Sequence, residues 1–344
     1  MMKKVLACLL VGVLSIGLLA GCGGKKDDGG QQAEAPKTSA EAEAPKDDAS
    51  GDQPFIGISV PKASTGWTAA VTFYAEKYCK DNNLNYKLVQ AESTNDQANQ
   101  VDELISQKPD AIVLLPINDE LATAAQTIKD AGITLVNFDR TLGATEPDYY
   151  LAGDNPGCGT AGADWMVKTL GEEFNVVICS VTSWGNIAEE RKEGFKTRLA
   201  EIAPNAKVIN EYASESASQE DGLKLMTDVL QSNPEIDAVF LVDDEQACGA
   251  LQAIQEAGRT DIKALYAAGG GATNFLNRIP DSAFPIASVG YYPSMIADAI
   301  GIAVDVSTGA ASHDARTIEE AVVISAENLD EWKASIGYDP DAPY

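Results

Sequence analysis

Asp110-Ala111-Ile112-Val113-Leu114-Leu115 sets five apolar residues in a row without polar alternation, and Ala124-Ala125-Gln126-Thr127-Ile128-Lys129-Asp130-Ala131-Gly132 follows shortly after. A run this apolar suits a parallel strand covered on both faces. The second stretch has the period of a helix with one buried face and a glycine stop. The pair recurs as Asp237-Ala238-Val239-Phe240 and Ala250-Leu251-Gln252-Ala253-Ile254-Gln255-Glu256-Ala257-Gly258, with the helix ends offset by 126 residues. Two copies of one unit is one reading; the other is that helices facing sheets reuse Ala and Ile and stop at Gly regardless. Working outward, short apolar runs at 55–60, 85–90, 134–138, 149–152, 175–179, 207–212, 238–242, 263–267 and 286–289 read as further strands. Most are separated by helical spacing such as Val101, Leu104, Ile105 or Leu223, Met226, Val229, Leu230. Repeated strand–helix alternation predicts an α/β chain of two doubly wound parallel-sheet lobes with a cleft between them.

The 344 residues, 45% hydrophobic and 22% charged, suffice for two cores. Lys3 and Lys4 precede a 15-residue apolar run, Val5 to Leu19, the form of an export signal. It falls short of the ~20 residues of a membrane span. Leu19-Ala20-Gly21-Cys22 closes it in a pattern that resembles the bacterial lipobox. That implies a signal peptide over 1–21, lipidation at Cys22 and an extracytoplasmic protein anchored by acyl chains to the cell membrane; a plain anchor helix with an incidental cysteine is the alternative. Residues 22–54 are too poor in apolar groups to bury a core and read as a disordered tether.

Formal net charge is −27, which repels the phosphates that supply most nucleic-acid affinity, so no nucleic-acid partner is expected. One histidine, His313, leaves little room for zinc sites or histidine-activated nucleophiles. The spacings of Cys79, Cys158, Cys179 and Cys248 match no metal motif, and their pairing is left open. No metal or cofactor is expected. Gly157-Cys158-Gly159-Thr160-Ala161-Gly162 fits G-x-G-x-x-G, but Asp154, Asn155 and Pro156 intervene as cap and first turn, which puts the glycines inside a helix for close packing.

Ligands of open parallel sheets lie beyond the strand C-termini. Just past the apolar runs stand Thr65 and Trp67; Asn118; Asp139 and Arg140; Trp184, with Arg191 on the helix after it; Asp243; and Tyr291. Aromatic faces with charged hydrogen-bonding groups suit a polyhydroxylated ring, whose C–H faces lie on Trp or Tyr and whose hydroxyls meet Arg and Asp. Each has a bland alternative: Trp67 and Trp184 as core aromatics, Asp139 and Arg140 as mutual partners, Asp243 as a helix cap, Arg191 as part of a solvated charge run.

The opening at Phe55 with Gly66-Trp67, Asn137-Phe138-Asp139-Arg140, Gly153-Asp154-Asn155, Glu190-Arg191-Lys192-Glu193-Gly194-Phe195 and Asp243-Asp244-Glu245 together resemble the type I periplasmic binding proteins of the ribose and galactose class, over about 55–325. The resemblance implies a non-enzymatic sugar receptor of an ABC transporter: Trp67 stacking on the ligand, Asp139 and Arg140 as a two-pronged pair, Arg191 from the second lobe, and Tyr291 at a hinge. It implies lobes of 55–153 plus 292–318 and 154–291 plus 319–344, three crossings near 153–154, 291–292 and 315–318, a membrane permease as partner, and a monomer. Three departures stand out. Ala267-Ala268-Gly269-Gly270 replaces the family's Phe-Asp-Gly, the loop from Ser214 to Ser218 lacks an aromatic for which Trp184 substitutes, and Pro116 leaves Asn118 as the nearest donor. A signalling receptor for a furanosyl autoinducer or other polar metabolite keeps the same cleft. An exported hydrolase or lyase using Asp243, Asp244 or Asp139 remains a third reading.

Overall fold

The computed structural model describes residues 53–63, 66–335 and 339–344. The expected signal peptide, Cys22, the tether up to residue 52 and Thr65 therefore lie outside the described residues.

In chain order the elements are β1 (Phe55–Pro61), α1 (Gly66–Asp81), β2 (Asn85–Ala91), α2 (Thr94–Ser106), β3 (Ala111–Leu114), α3 (Ala122–Asp130), β4 (Thr134–Phe138) and β5 (Tyr149–Gly153). They continue as α4 (Asn155–Leu170), β6 (Asn175–Val181), α5 (Asn186–Ile202), β7 (Lys207–Ser214), α6 (Gln219–Ser232), β8 (Ala238–Leu241), α7 (Asp244–Glu256) and β9 (Ala264–Ala267). The last are α8 (Thr273–Leu276), β10 (Ile286–Val289), α9 (Ile296–Thr308), β11 (Arg316–Glu319), β12 (Val323–Ile324) and α10 (Leu329–Ser335).

Two six-stranded sheets result, ordered β11-β5-β4-β3-β1-β2 and β12-β10-β9-β8-β6-β7. Every pairing is parallel except that of β10 with β12. Replacing β1–β5 by β6–β10 and β11 by β12 converts one order into the other. The echoed segments, β3 with α3 and β8 with α7, thus hold the same place in both sheets. Their flanks match as well. Asp110 Oδ2 accepts from Phe55 N at 2.8 Å and Asp237 Oδ2 from Asn175 N at 2.9 Å, each tying the start of a central strand to its neighbour. Gly132 and Gly258 end the two helices with φ of 74° and 61°, a conformation that glycine adopts without a Cβ penalty.

The central strands β3, β4, β8 and β9 are buried apart from Thr134 at the start of β4, as covered parallel strands must be. Ile112, Leu114 and Leu135 face Leu104, Val101 and Ile128 of α2 and α3, while Phe195 of α5 stacks on Phe240 of β8, which in turn stacks on Tyr266 of β9. Each such side chain removed from water contributes about 1.5–3 kcal/mol. The glycines of the G-x-G-x-x-G stretch lie within α4. Asp154 caps that helix by accepting from Gly157 N at 2.8 Å, and a Cβ on Gly159 would collide with the Arg191 carbonyl oxygen of α5. Gly194 answers from α5, where a Cβ would collide with the Pro156 carbonyl oxygen. They are a helix-packing device rather than a phosphate-binding turn.

Two strands escape the sequence reading. β11, Arg316-Thr317-Ile318-Glu319, pairs with β5 along its whole length, so residues 315–318 are not a crossing; the chain turns from the first sheet to the second at 320–322. An edge strand with charged ends has no apolar run to reveal it. β12 is two residues long. The other passages follow β5 and β10, and α9 then returns to lie on β3 and β4.

Candidate functional site

The strand ends of both sheets meet at a cluster of polar and aromatic side chains. In the first layer β4 runs directly into Asp139, whose φ is 64°. Few residues without a glycine's freedom hold that conformation, and Asp is among the more tolerant. It is fixed on each side: Asp139 N donates to Leu151 O at 2.8 Å, the Tyr150 hydroxyl donates to Asp139 O at 2.6 Å, and Asn137 Nδ2 donates to Arg140 O at 2.8 Å. The Asp139 carboxylate is buried, accepts from the Tyr291 hydroxyl at 2.5 Å and lies 3.9 Å from Arg140 Nε. Burial pushes its pKa up, against the opposing pull of the Tyr291 hydrogen bond and the charges of Arg140 and Arg191. Arg140 is held by the loop after β3, donating from Nη1 to Ile117 O at 2.9 Å and Pro116 O at 3.3 Å. Trp67, in the first turn of α1, stacks on Phe138 with centroids 5.9 Å apart and an 8° interplanar angle, and its Nε1 donates to Tyr291 O at 2.9 Å.

The second layer brings Arg191, only 4% exposed although it sits in a charge-rich helix. Its Nε donates to Asn155 Oδ1 at 2.9 Å and its Nη1 to Val242 O at 3.0 Å. The guanidinium lies 4.8 Å from the Tyr291 ring centroid and 5.5 Å from that of Trp184, in reach of cation–π attraction from both. Tyr291 thus joins both layers, with its hydroxyl on Asp139, its ring under Arg191, and Gly153 pressed so close that a Cβ there would stand 2.5 Å from the ring. Asp243 caps α7, its Oδ1 accepting from Glu245 N at 2.7 Å and Gln246 N at 3.0 Å. Burial raises its pKa to about 7, against those backbone hydrogen bonds and with the Glu245 charge adding to the rise. Asp244, fully buried, accepts from Ser288 Oγ at 2.7 and 2.8 Å and from Ala272 N at 2.7 Å, and so ties the start of α7 to β10 and to the loop after β9.

Trp67, Asp139, Arg140, Trp184, Arg191 and Tyr291 are therefore brought into one connected cluster, and Asp243 adjoins it through Val242. Asn118 serves elsewhere. Its Oδ1 accepts from Glu120 N at 3.2 Å, capping the short helix Asp119–Leu121, and no hydrogen bond joins it to the cluster among the described residues. One face of Trp67 is spent on Phe138. Sequence reading missed Asn155, which aims Arg191, and the tie from Asp244 to Ser288; it also missed Tyr344, whose hydroxyl donates to Gly269 O at 3.1 Å. The capping pattern Asp154-Asn155 was visible, but its reach to Arg191 was not.

Two surface grooves, of about 520 Å³ beside Trp165, Ile279 and Phe284 and about 330 Å³ beside Leu230 and Arg259, contain none of these residues. The convergence of charged hydrogen-bonding groups marks the strand-end cluster, not either groove, as the candidate site. Among the described residues no group of three or more His, Cys, Asp or Glu is placed to hold a metal ion, and Cys79, Cys158, Cys179 and Cys248 are buried free thiols. The cluster offers guanidinium donors, carboxylate acceptors and aromatic faces in a setting shielded from water. This equipment fits hydrogen-bonding an uncharged polar molecule.

Similarity to known proteins agrees with this geometry. The ribose import binding protein of Escherichia coli K12 is 31% identical over 185 residues, 52% of this chain and 61% of that protein. The xylitol-binding protein of Mycolicibacterium smegmatis is 31% identical over 191 residues, 54% of each chain. The aligned stretch thus spans between half and two thirds of these relatives. A periplasmic solute-binding protein of an ABC transporter from Actinobacillus succinogenes, solved with bound D-allose, superposes with a TM-score of 0.72 at 22% identity, covering 81% of this chain and all of that one. Residues 56–311 match the family model described as periplasmic binding protein domain, and the chain belongs to that family.

Proposed function

We propose that this protein is the extracytoplasmic solute receptor of an ABC importer and binds a monosaccharide or small polyol at the strand-end cluster. The observation that carries the reading is the Tyr291 bridge, which sets its hydroxyl on Asp139 of the first layer and its ring under Arg191 of the second. A ligand there would meet Arg140 and Asp139 from one side and Arg191 and Asp243 from the other, with Trp67 and Trp184 flanking. Relatives that bind ribose and xylitol support the ligand class. On this reading the two lobes, 55–153 plus 292–319 and 154–291 plus 320–344 once β11 stays whole with the first sheet, hinge at the crossings and close on the sugar, and a membrane permease recognises the closed form. Cys22 would carry the lipid anchor, the receptor acts as a monomer, and it does no chemistry on its ligand.

Thermal-shift and calorimetric titration with D-ribose, xylitol and D-allose tests the reading. A ligand at 100 times its dissociation constant stabilises by about 2.7 kcal/mol. Arg140→Ala should weaken that binding by about 2–5 kcal/mol, because its buried charge partner is left uncompensated. Absence of a shift with every pentose, hexose and polyol tried would remove the sugar assignment, and turnover of a bound sugar would replace the receptor with an enzyme.

A further inference from the structure

The loop after β9 is stripped of side chains at the point where it meets the candidate site. Gly269, Gly270 and Gly271 follow one another, the last two with φ of 113° and 75°. Each glycine's side-chain space is occupied by something else. A Cβ on Gly269 would collide with Arg191 Nη1, one on Gly271 would stand 3.1 Å from the Trp332 ring, and one on Gly270 would collide with the Tyr344 hydroxyl. Tyr344 comes from outside both sheets. Residues 339–344 begin 4.0 Å from Lys77 of α1, at Asp339 Oδ2, and reach the loop after β9. There the Tyr344 main-chain oxygen accepts from Thr273 Oγ1 at 2.8 Å and its hydroxyl donates to Gly269 O at 3.1 Å.

Resting on the sugar-receptor reading, we propose that Tyr344 is a ligand-contacting, specificity-determining residue, its hydroxyl supplying the polar group that the glycine loop lacks. Three observations carry this. The hydroxyl proton is committed to Gly269 O, which leaves the oxygen lone pairs as acceptors for a ligand hydroxyl. Both anchors of the residue, Gly269 and Thr273, belong to the second layer, beside the Arg191 guanidinium that already touches Gly269, so Tyr344 forms part of the second-layer wall. The glycines hold the space open for it, since any Cβ at 270 would collide with the phenol. Burial among Asp243, Asp244 and Glu245 pushes the Tyr344 pKa well up, so the group presented is a neutral hydroxyl.

The test titrates D-ribose, xylitol and D-allose into the full-length protein, Tyr344→Phe and Tyr344→Ala by calorimetry, with thermal melting of each variant without sugar. Tyr344→Phe keeps the ring and should weaken the best-bound sugar about 10-fold, in line with one lost hydrogen bond. It should also change the ranking of the three sugars, while the sugar-free melting temperature falls by only about 1–3 °C for the lost bond to Gly269 O. Tyr344→Ala should weaken binding further. Equal affinities and ranking in the wild type and Tyr344→Phe would overturn the proposal while leaving the receptor reading intact. Tighter binding by Tyr344→Ala would overturn it too, in favour of a segment that competes with sugar. Failure of the wild type to bind any of the three would overturn both.

Discussion

Replacing Tyr291 by Phe deletes one oxygen and keeps the ring that lies under Arg191 and against Gly153. What is lost is the donor 2.5 Å from Asp139 Oδ1. A hydrogen bond to a charged, buried acceptor is worth about 1.5–3 kcal/mol. At about 2.1 cal/mol/K per residue, a body of about 290 residues unfolds with an entropy of about 0.6 kcal/mol/K, so the variant should melt about 3–5 °C lower at pH 8. The pH dependence makes the test sharper. Burial raises the folded-state pKa of Asp139 above its ordinary 3.8, so its stabilising influence is greatest below that pH and declines as pH rises through the folded-state value. The Tyr291 hydrogen bond restrains that rise, and removing it extends the decline upward. Below that raised value the carboxyl is protonated in the folded protein, and the bond lost is one between neutral groups, worth about 0.5–1.5 kcal/mol. Urea unfolding of the sugar-free wild type and Tyr291→Phe at pH 4 and pH 8 should therefore show a larger gap at pH 8. Equal gaps, or a larger one at pH 4, would refute the argument that Tyr291 holds an ionisable Asp139 in place.

Asp243→Asn keeps the α7 cap and removes a carboxyl whose pKa is raised to about 7. The variant's stability advantage over wild type should grow between pH 4 and 7 and level off above, at no more than about 4 kcal/mol, as pH-dependent unfolding would show. Gly159→Ala must push α4 away from the Arg191 backbone, so calorimetry should show a loss of about 1–3 kcal/mol together with weaker sugar binding. Burial pushes Cys79, Cys179 and Cys248 up to about 12 and Cys158 to about 11. All four should resist thiol reagents in the native protein and label once it is unfolded, as peptide mass analysis would reveal; native labelling of any of them would contradict the packing described.

Much of the fold was legible because buried parallel strands need apolar runs, and the ten runs read as strands coincide with β1 to β10, the edge strands β2 and β7 being the least apolar. Legibility failed at β11, where a charged edge strand is defined only by its pairing with β5. The site divides in the same way. That Asp139 and Arg140 at a strand end and Arg191 on the helix after one would converge was readable because strand ends face the crevice of a parallel sheet, whereas Asn118, chosen by the same rule, caps a short helix outside the cluster and Asp243 caps α7 beside it. A post-strand loop holds both residues of the cluster and helix caps, and local sequence does not separate them.

Periodicity within a few residues was enough to establish the alternation of strands and helices and to point to the loops past the strands, while the echo at an offset of 126 residues left duplication as one of two readings. Packing of the layers alone decided that the Tyr291 hydroxyl meets Asp139, 152 positions away, that Asn155 aims Arg191, and that Tyr344 fills the space over Gly270. Those contacts join segments from different layers, and no spacing along the chain encodes a distance that is set only when the layers come together.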